Sequence, residues 1–328
     1  MKRYSQTQAE HLINQWGGEG RPFLFVIDYR QENILLLPLD EVNEEELRFD
    51  FGRVHNGRTS PTPLTEPPLW QPQPPSLDDY RRSFNKVTAE LQEGNSFLTN
   101  LTCRVPLTTS LSLADLYTHT QARYRLWWKE HFVCFSPEIF VRIADGLISA
   151  YPMKGTIAAT DAQAARRLLD DPKEAAEHAT IVDLIRNDLS IVASEVAVRR
   201  YRYLESIETH RGKLLQTSSE IVGRLPTDHL RRLGSLLFQL LPAGSITGAP
   251  KVKTMQIIAE AETYERGFYT GIMGVFDGAT LDSAVMIRFV EQEADGTLVF
   301  KTGGGITINS RMEAEYEEMK QKVYAPLR

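Results

Sequence analysis

The stretch 267–307, GFYTGIMGVFDGATLDSAVMIRFVEQEADGTLVFKTGGGIT, decides the fold. It holds three runs with strand character, FYTGIMGVFDG, LDSAVMIRFVEQE and TLVFKTGGGIT, separated by Asp277-Gly278 and Asp295-Gly296. Asp-Gly pairs reach the positive φ angles of a tight hairpin at little cost, so successive runs turn back and pair antiparallel. The same stretch carries a charge out of place. Arg288 interrupts an apolar run and, on a continuous strand, shares one face with Ala284, Met286 and Val290. A guanidinium there is costly unless paired, so it calls for an anion, either a structural carboxylate or a ligand carboxylate held bidentately.

Working outward, residues 172–193, 228–241, 250–262 and 311–325 read as helices, without the strict strand–helix rhythm of a parallel sheet. Residues 76–94 are a further helix, with Ser76 and Asp79 as its capping pair and Gly94 as its stop, and the strand run SFLTNLTCRVPL follows at 96–107. The fold class is α+β with large antiparallel sheets, and no internal repeat is visible. Residues 1–58 form a small strand-rich opening, in which FLFVIDYRQENILLLPL (23–39) reads as two strands around a polar turn. Prolines crowd residues 59–75, which predicts an extended connector, and 76–328 is the body of the protein.

The 328 residues are 42% hydrophobic, enough for a sizeable core, and the formal charge of −6 is unlike the basic face of a nucleic-acid binder. Two cysteines, Cys103 and Cys134, make no disulfide framework, and neither a secretion-type apolar segment nor a membrane-spanning run appears. The expectation is a cytoplasmic protein that meets small molecules or other proteins, not membranes.

Two predicted helices carry acid pairs three residues apart, Glu174 with Glu177 and Glu315 with Glu318. Residues at that spacing lie about 60° apart around a helix and share a face. Two such faces opposed present four hard oxygen donors, a set suited to Mg²⁺. Each pair also has an ordinary reading, because Asp171 with Glu174 and Ser310 with Glu313 have capping-box spacing and acids near a helix start suit its dipole. Lys322, four residues after Glu318, makes a routine helical ion pair. LLPAGSITGAPKVKTMQII (240–258) passes from helix to polar loop to a helix begun by Pro250, so its amides and the Ser245 and Thr247 hydroxyls can meet an oxyanion or form a tight turn. It lacks the Lys-Ser/Thr of a P-loop. Gly303, Gly304 and Gly305 end a strand where backbone can approach a ligand closely. Lys154, in SAYPMKGTIAAT (149–160), is a solvated turn residue or a reactive amine.

In order, PMKGT, EHATIVDLIRNDL, PAGSITGAPKVKTMQII, GFYTGIMGVFDG, SAVMIRF, GGGIT and EAEYEEMKQK resemble the signatures of the chorismate-utilising enzymes, over about residues 76–328. The resemblance implies a layered α/β sandwich of two antiparallel sheets with helices outside. It implies Mg²⁺ held by Glu177 and Glu318, supported by Glu174 and Glu315, and bound to the ring carboxylate of chorismate. Arg288, Lys322, Tyr269 and the backbone at Gly304 and Gly305 match positions that hold the enolpyruvyl side chain and its carboxylate, while Thr247 and Gly248 match the loop lining the ring pocket.

Within the family, aminodeoxychorismate synthases carry lysine in P-x-K-G-T and anthranilate synthases carry alanine, so Lys154 points to the former. The implied chemistry is attack of the lysine amine at ring C2, loss of the C4 hydroxyl, then addition of ammonia at C4, giving 4-amino-4-deoxychorismate for 4-aminobenzoate and folate synthesis. The alternatives are an anthranilate synthase component I and a catalytically silent binding homologue. Leu98 stands where the water-adding isochorismate synthases carry a lysine base. Gln216 stands at the usual histidine position, with His210 elsewhere, which leaves the general acid open. No Leu-Leu-Glu-Ser tryptophan motif is found. No G-x-C-x-G glutaminase loop is found either, so ammonia is expected from a separate amidotransferase subunit, with aminodeoxychorismate lyase as a separate downstream protein.

Overall fold

The computed structural model describes residues 1–57, 64, 66–161, 163–209 and 212–327. Among these residues the strands make two antiparallel sheets, one of ten strands and one of eight. The first runs β1 (Arg3–Tyr4), β3 (Ile34–Pro38), β2 (Phe23–Ile27), β15 (Ile272–Phe276), β16 (Leu281–Val285), β9 (Ile139–Ala144), β10 (Leu147–Ala150), β13 (Gly212–Arg224) and β11 (Met153–Ala158), with β12 (Ser194–Thr209) also paired to β13. The second runs β14 (Gly248–Ala249), β6 (Leu98–Thr109), β18 (Leu298–Ile306), β17 (Phe289–Gln292), β8 (Phe132–Ser136), β7 (Tyr124–Trp128) and β4 (Leu47–Asp50), with β5 (Trp70–Pro72) on β6.

Period-two alternation divides the buried side chains between layers. In β2 and β15, Phe23, Phe25, Ile27, Ile272 and Phe276 enter a core beneath helices α1 (Gln6–Glu19), α5 (Pro172–Val192) and α6 (Leu233–Leu240). Their neighbours Leu24, Val26, Met273 and Val275 instead meet Leu126, Phe132 and Phe289 of the other sheet. A third core lies outside the second sheet under α2 (Leu77–Gln92), α3 (Leu113–His119), α8 (Lys251–Ala261) and α9 (Met312–Gln321). The order is therefore helices, sheet, sheet, helices, the sandwich that the sequence implies. Strands such as β2, buried on both faces, are apolar throughout for this reason.

Three local expectations are corrected. The opening contains α1, whose Ser5–Gln8 capping box was legible but whose Gly17 and Gly18 weaken the helical pattern. Those glycines admit a close neighbour, since a Cβ on Gly17 would lie 2.4 Å from the Leu230 carbonyl oxygen. Arg288 is not on a continuous strand face: β16 ends at Val285, β17 begins at Phe289 in the other sheet, and Arg288 has φ +55° at the crossing. Ser310 does not cap α9, whose N-cap is Arg311; its hydroxyl accepts from the Thr307 amide at 3.1 Å. Helices α3, α4 (Ala164–Asp170) and the single turn α7 (Gly244–Thr247) add to those read from sequence, and residues 229–232 precede α6 as a 3₁₀ turn.

The 23–39 hairpin forms as expected, with Phe23 opposite Pro38 and Ile27 opposite Ile34, and β2 bonds directly to β15. Residue 58 and, in the proline-rich connector, residues 59–63 and 65 lie outside the described residues; beyond them, β5 pairs with β6 and the Trp70 indole donates to the Val323 carbonyl at 3.1 Å. No helix among the described residues is long and apolar enough to cross a membrane.

Candidate active site

The predicted residues converge where β11, the edge of the first sheet, meets β18 and β6 of the second. Gly155 has φ +70° at a bulge in β11, and a Cβ there would lie 2.9 Å from both Glu174 Oε2 and Leu168 Cδ1. Glycine thus lets the strand carrying Lys154 press against α5. Lys154 Nζ lies 3.4 Å from Glu177 Oε2 and 4.0 Å from the point where a Gly305 Cβ would stand. Leu98 Cδ1 is 3.0 Å from that same point, and Gly248 backs onto Leu98 so closely that a Cβ would fall 1.8 Å from the Leu98 carbonyl oxygen. Thr247, next in the chain, is fully buried.

Helix α9 closes the other side. Lys322 Nζ reaches Glu318 Oε1 at 2.7 Å and the Gly303 carbonyl at 3.1 Å, while Glu315 Oε2 lies 3.8 Å from the Cβ position of Gly304. Lys322 therefore ties its helix to the glycine strand, more than a surface ion pair does. Arg288 has no hydrogen bond or ion pair to its guanidinium among the described residues; the Tyr324 ring lies 5.3 Å away. Among the described residues no structural carboxylate pairs with Arg288, whose charge is felt by Glu138 and Tyr269. Tyr269 is buried and feels the Arg266 and Arg288 charges.

The four glutamates come from two helices, as the spacing predicts. The Asp171 side chain accepts from the amides of Lys173 and Glu174, so the cap and the acid pair coexist on α5. Burial, then the Glu177 charge, raises the Glu174 carboxyl; burial likewise raises Glu315, with Glu318 adding to it. Glu318 is pulled down overall by Lys322 against its burial. Lysines are interleaved with the acids, and Lys173 meets Glu177 at 3.5 Å. Among the described residues no three carboxylate, imidazole or thiolate groups converge as a ligand shell. In chemistry the donors suit a hard divalent cation, since Glu174 and Glu315, raised by burial and by a neighbouring carboxylate, would gain from added positive charge.

Two residues beside the site were not singled out from the sequence. Glu138 follows Ser136-Pro137 between apolar runs; it is half-buried, desolvation raises its carboxyl, and it feels Lys154, Arg288 and Lys322. Ser245 donates to Glu138 Oε1 at 2.6 Å, so that hydroxyl is engaged within the protein. An acid inside an apolar run was the available signal, the same one that marked Arg288. His178 is fully buried on α5, with Nε2 2.7 Å from Ser219 Oγ and Nδ1 3.4 Å from Thr217 Oγ1. Burial, then Arg202 and Lys154, pushes its imidazole down to about 4. Thr217 in turn donates to the Lys154 carbonyl, which fixes the strand bearing the amine. Gln216 is the neighbour of Thr217 on β13 and therefore points to the opposite face of the sheet. His210 lies outside the described residues.

Comparison with known proteins shows the family and the fold. A family model described as chorismate binding enzyme matches residues 22–328. A Haemophilus influenzae protein described as an uncharacterised PabA-like protein is 48% identical over 326 residues, 98% of each chain. The aminodeoxychorismate synthase component 1 of Salmonella typhimurium is 32% identical over 313 residues, 91% of this chain and 66% of that one. Among solved structures, the menaquinone-specific isochorismate synthase of Escherichia coli superposes with a TM-score of 0.73 at 19% identity, over 98% of this chain and 82% of that one, which shows the shared fold. With its ordered motifs, its two-sheet sandwich and a family match over nearly its whole length, the chain belongs to the chorismate binding enzymes.

Proposed function

We propose that the protein is an aminodeoxychorismate synthase component I, which replaces the C4 hydroxyl of chorismate with an amino group. The observation that carries this reading is Lys154, whose amine stands against the glycine strand and Glu177. Sequence identity does not choose the activity, because an anthranilate synthase component and an aminodeoxychorismate synthase component are each 32% identical to this chain, over 77% and 91% of it. The nucleophile does.

The steps follow from the side chains. Arg288 and Lys322 supply positive charge for the substrate's side-chain carboxylate, and the Gly304–Gly305 backbone leaves room for it to approach. The Lys154 amine forms a bond to ring C2, the ring double bonds shift, and the C4–O bond breaks. Glu138, a half-buried carboxyl whose proton affinity is raised by desolvation, gives its proton so that the hydroxyl leaves as water. Ammonia then bonds to C4, the double bonds shift back, the C2–N bond to Lys154 breaks, and the new ammonium returns a proton to Glu138. The sum is chorismate plus ammonia giving aminodeoxychorismate and water. Glu174, Glu177, Glu315 and Glu318 are the residues that would hold Mg²⁺, which when bound neutralises the ring carboxylate and draws electron density from the ring. Leu98 at the same corner has no group to activate water.

Ammonia comes from a separate glutaminase in this reading. Burial pushes the Cys103 thiol up to about 12 and raises Cys134 as well, so neither suits the nucleophile of a glutaminase. The decisive experiment incubates the protein with chorismate, Mg²⁺ and ammonium, then identifies products with and without added aminodeoxychorismate lyase. 4-Aminobenzoate appearing only with lyase supports the assignment, and direct anthranilate sinks it.

A further inference from the structure

Behind the site lies a buried ion pair that the chemistry above does not use. Arg266 and Glu262, four residues apart just beyond the end of α8, both have almost completely buried side chains, 2% and 3% exposed. Every N–H of the guanidinium is placed. Nε donates to Glu262 Oε2 at 2.9 Å and Nη2 to Glu262 Oε1 at 2.7 Å. The remaining donors go to three separate segments: Nη2 to the Asn100 carbonyl at 2.6 Å, and Nη1 to the Ile246 carbonyl at 2.9 Å and to Thr270 Oγ1 at 3.3 Å. Glu262 also accepts from the Thr102 amide at 2.8 Å and from its hydroxyl at 2.7 Å.

Each of those segments is a wall of the site. Asn100 pairs with Gly305 across β6 and β18, Ile246 precedes Thr247 and Gly248, and Thr270 follows Tyr269. A buried ion pair contributes little net stability compared with an apolar filling of the same volume, so its value here lies in what the fork of donors holds in register. We infer that Arg266 is a positioning residue for chorismate, setting the ring-pocket loop, the β6–β18 glycine strand and the Tyr269 turn at fixed mutual distances. This rests on the functional reading above. A lysine ammonium retains the charge and its pairing with Glu262 but, as a single point, cannot reach both the Ile246 and Asn100 carbonyls in the geometry of the planar fork.

The test compares Arg266→Lys with Arg125→Lys. Arg125 makes a similar partly buried bridge, to Asp50 at 2.7 Å and to the Tyr117 and Thr120 carbonyls, but on β7, three strands away from β18. Both variants are expected to melt at lower temperature. Only Arg266→Lys is expected to raise the chorismate KM, by about tenfold or more, with a smaller change in kcat. Equal KM values for the two variants at similar loss of melting temperature overturn the positioning role. If Arg266→Lys does not fold, Arg266→Ala refolded with and without guanidinium ion gives the same readout; recovery of chorismate saturation by guanidinium supports the inference, and recovery of folding without recovery of saturation rejects it. If the unaltered protein shows no saturable use of chorismate, the functional reading itself fails, and the clamp loses its ligand with it.

Discussion

Glu138→Gln separates catalysis from folding at one position. The half-buried Glu138 carboxyl is raised by desolvation and accepts a hydrogen bond from the Ser245 hydroxyl at 2.6 Å. Glutamine keeps an oxygen to accept that bond and fills the same volume, yet it has no proton to give a departing hydroxyl. Loss of a general acid lowers turnover by roughly 10²–10⁴-fold. That range corresponds to about 3–5 kcal/mol of transition-state stabilisation. Stability moves the other way. Because burial raises the Glu138 carboxyl above its unfolded value, its contribution is complete below the ordinary glutamate range and is lost as pH rises through the folded value. Glutamine does not ionise, so Glu138→Gln should gain stability relative to the parent as pH rises from about 4.5, by up to roughly 1.4 kcal/mol per pH unit, until Glu138 is ionised. The assay is lyase-coupled 4-aminobenzoate formation from about pH 5 to pH 9, with thermal melts at each pH. In the parent, turnover should fall on the alkaline side as Glu138 loses its proton. Turnover of the variant within tenfold of the parent, with an unchanged pH profile, would refute the proton-donor role.

Further outcomes follow from the same geometry. Lys154→Ala should fold normally and lose most aminodeoxychorismate formation, and undiminished turnover would remove the covalent step. Glu177→Gln should raise the Mg²⁺ concentration needed for half-maximal activity by tenfold or more, read by titrating the metal at saturating chorismate; an unchanged titration would detach Glu177 from the metal. Gly155→Ala places a Cβ 2.9 Å from Glu174 Oε2 at φ +70°, which costs about 1–2 kcal/mol of backbone strain and displaces a carboxylate. It should lower the melting temperature and weaken the Mg²⁺ response together, and a normal response in a folded variant would show that Glu174 does not serve the metal.

Much of this site was legible because its residues break local rules. Arg288 in an apolar run, acids repeated at helical spacing and three successive glycines each invite a reason beyond secondary structure. Glu138 broke the same rule and went unread, since one acid beside a Ser-Pro turn also has an ordinary place in a loop. Arg266 and Glu262 were invisible for a different reason: opposite charges four residues apart just beyond a helix look like solvent-exposed decoration, and only packing shows their side chains to be 2% and 3% exposed. The strand face given to Arg288 failed because alternation is read as if a strand continues. Nothing local in SAVMIRF marks the change of sheet between Val285 and Phe289.

By itself the sequence determined the α+β class, the antiparallel pairing, most helix positions and the family, because these depend on periodicity, turn chemistry and ordered motifs, which are local properties of the chain. The meeting of Lys154 with Gly305, of Lys322 with Gly303, and of one guanidinium with Asn100, Ile246 and Thr270 was decided only by the tertiary structure. Apart from Thr270, four residues after Arg266, those partners lie 19 to 166 residues apart in the chain. Their distances are set by how two twisted sheets and their outer helices close on one another, and no spacing along the chain encodes that closure.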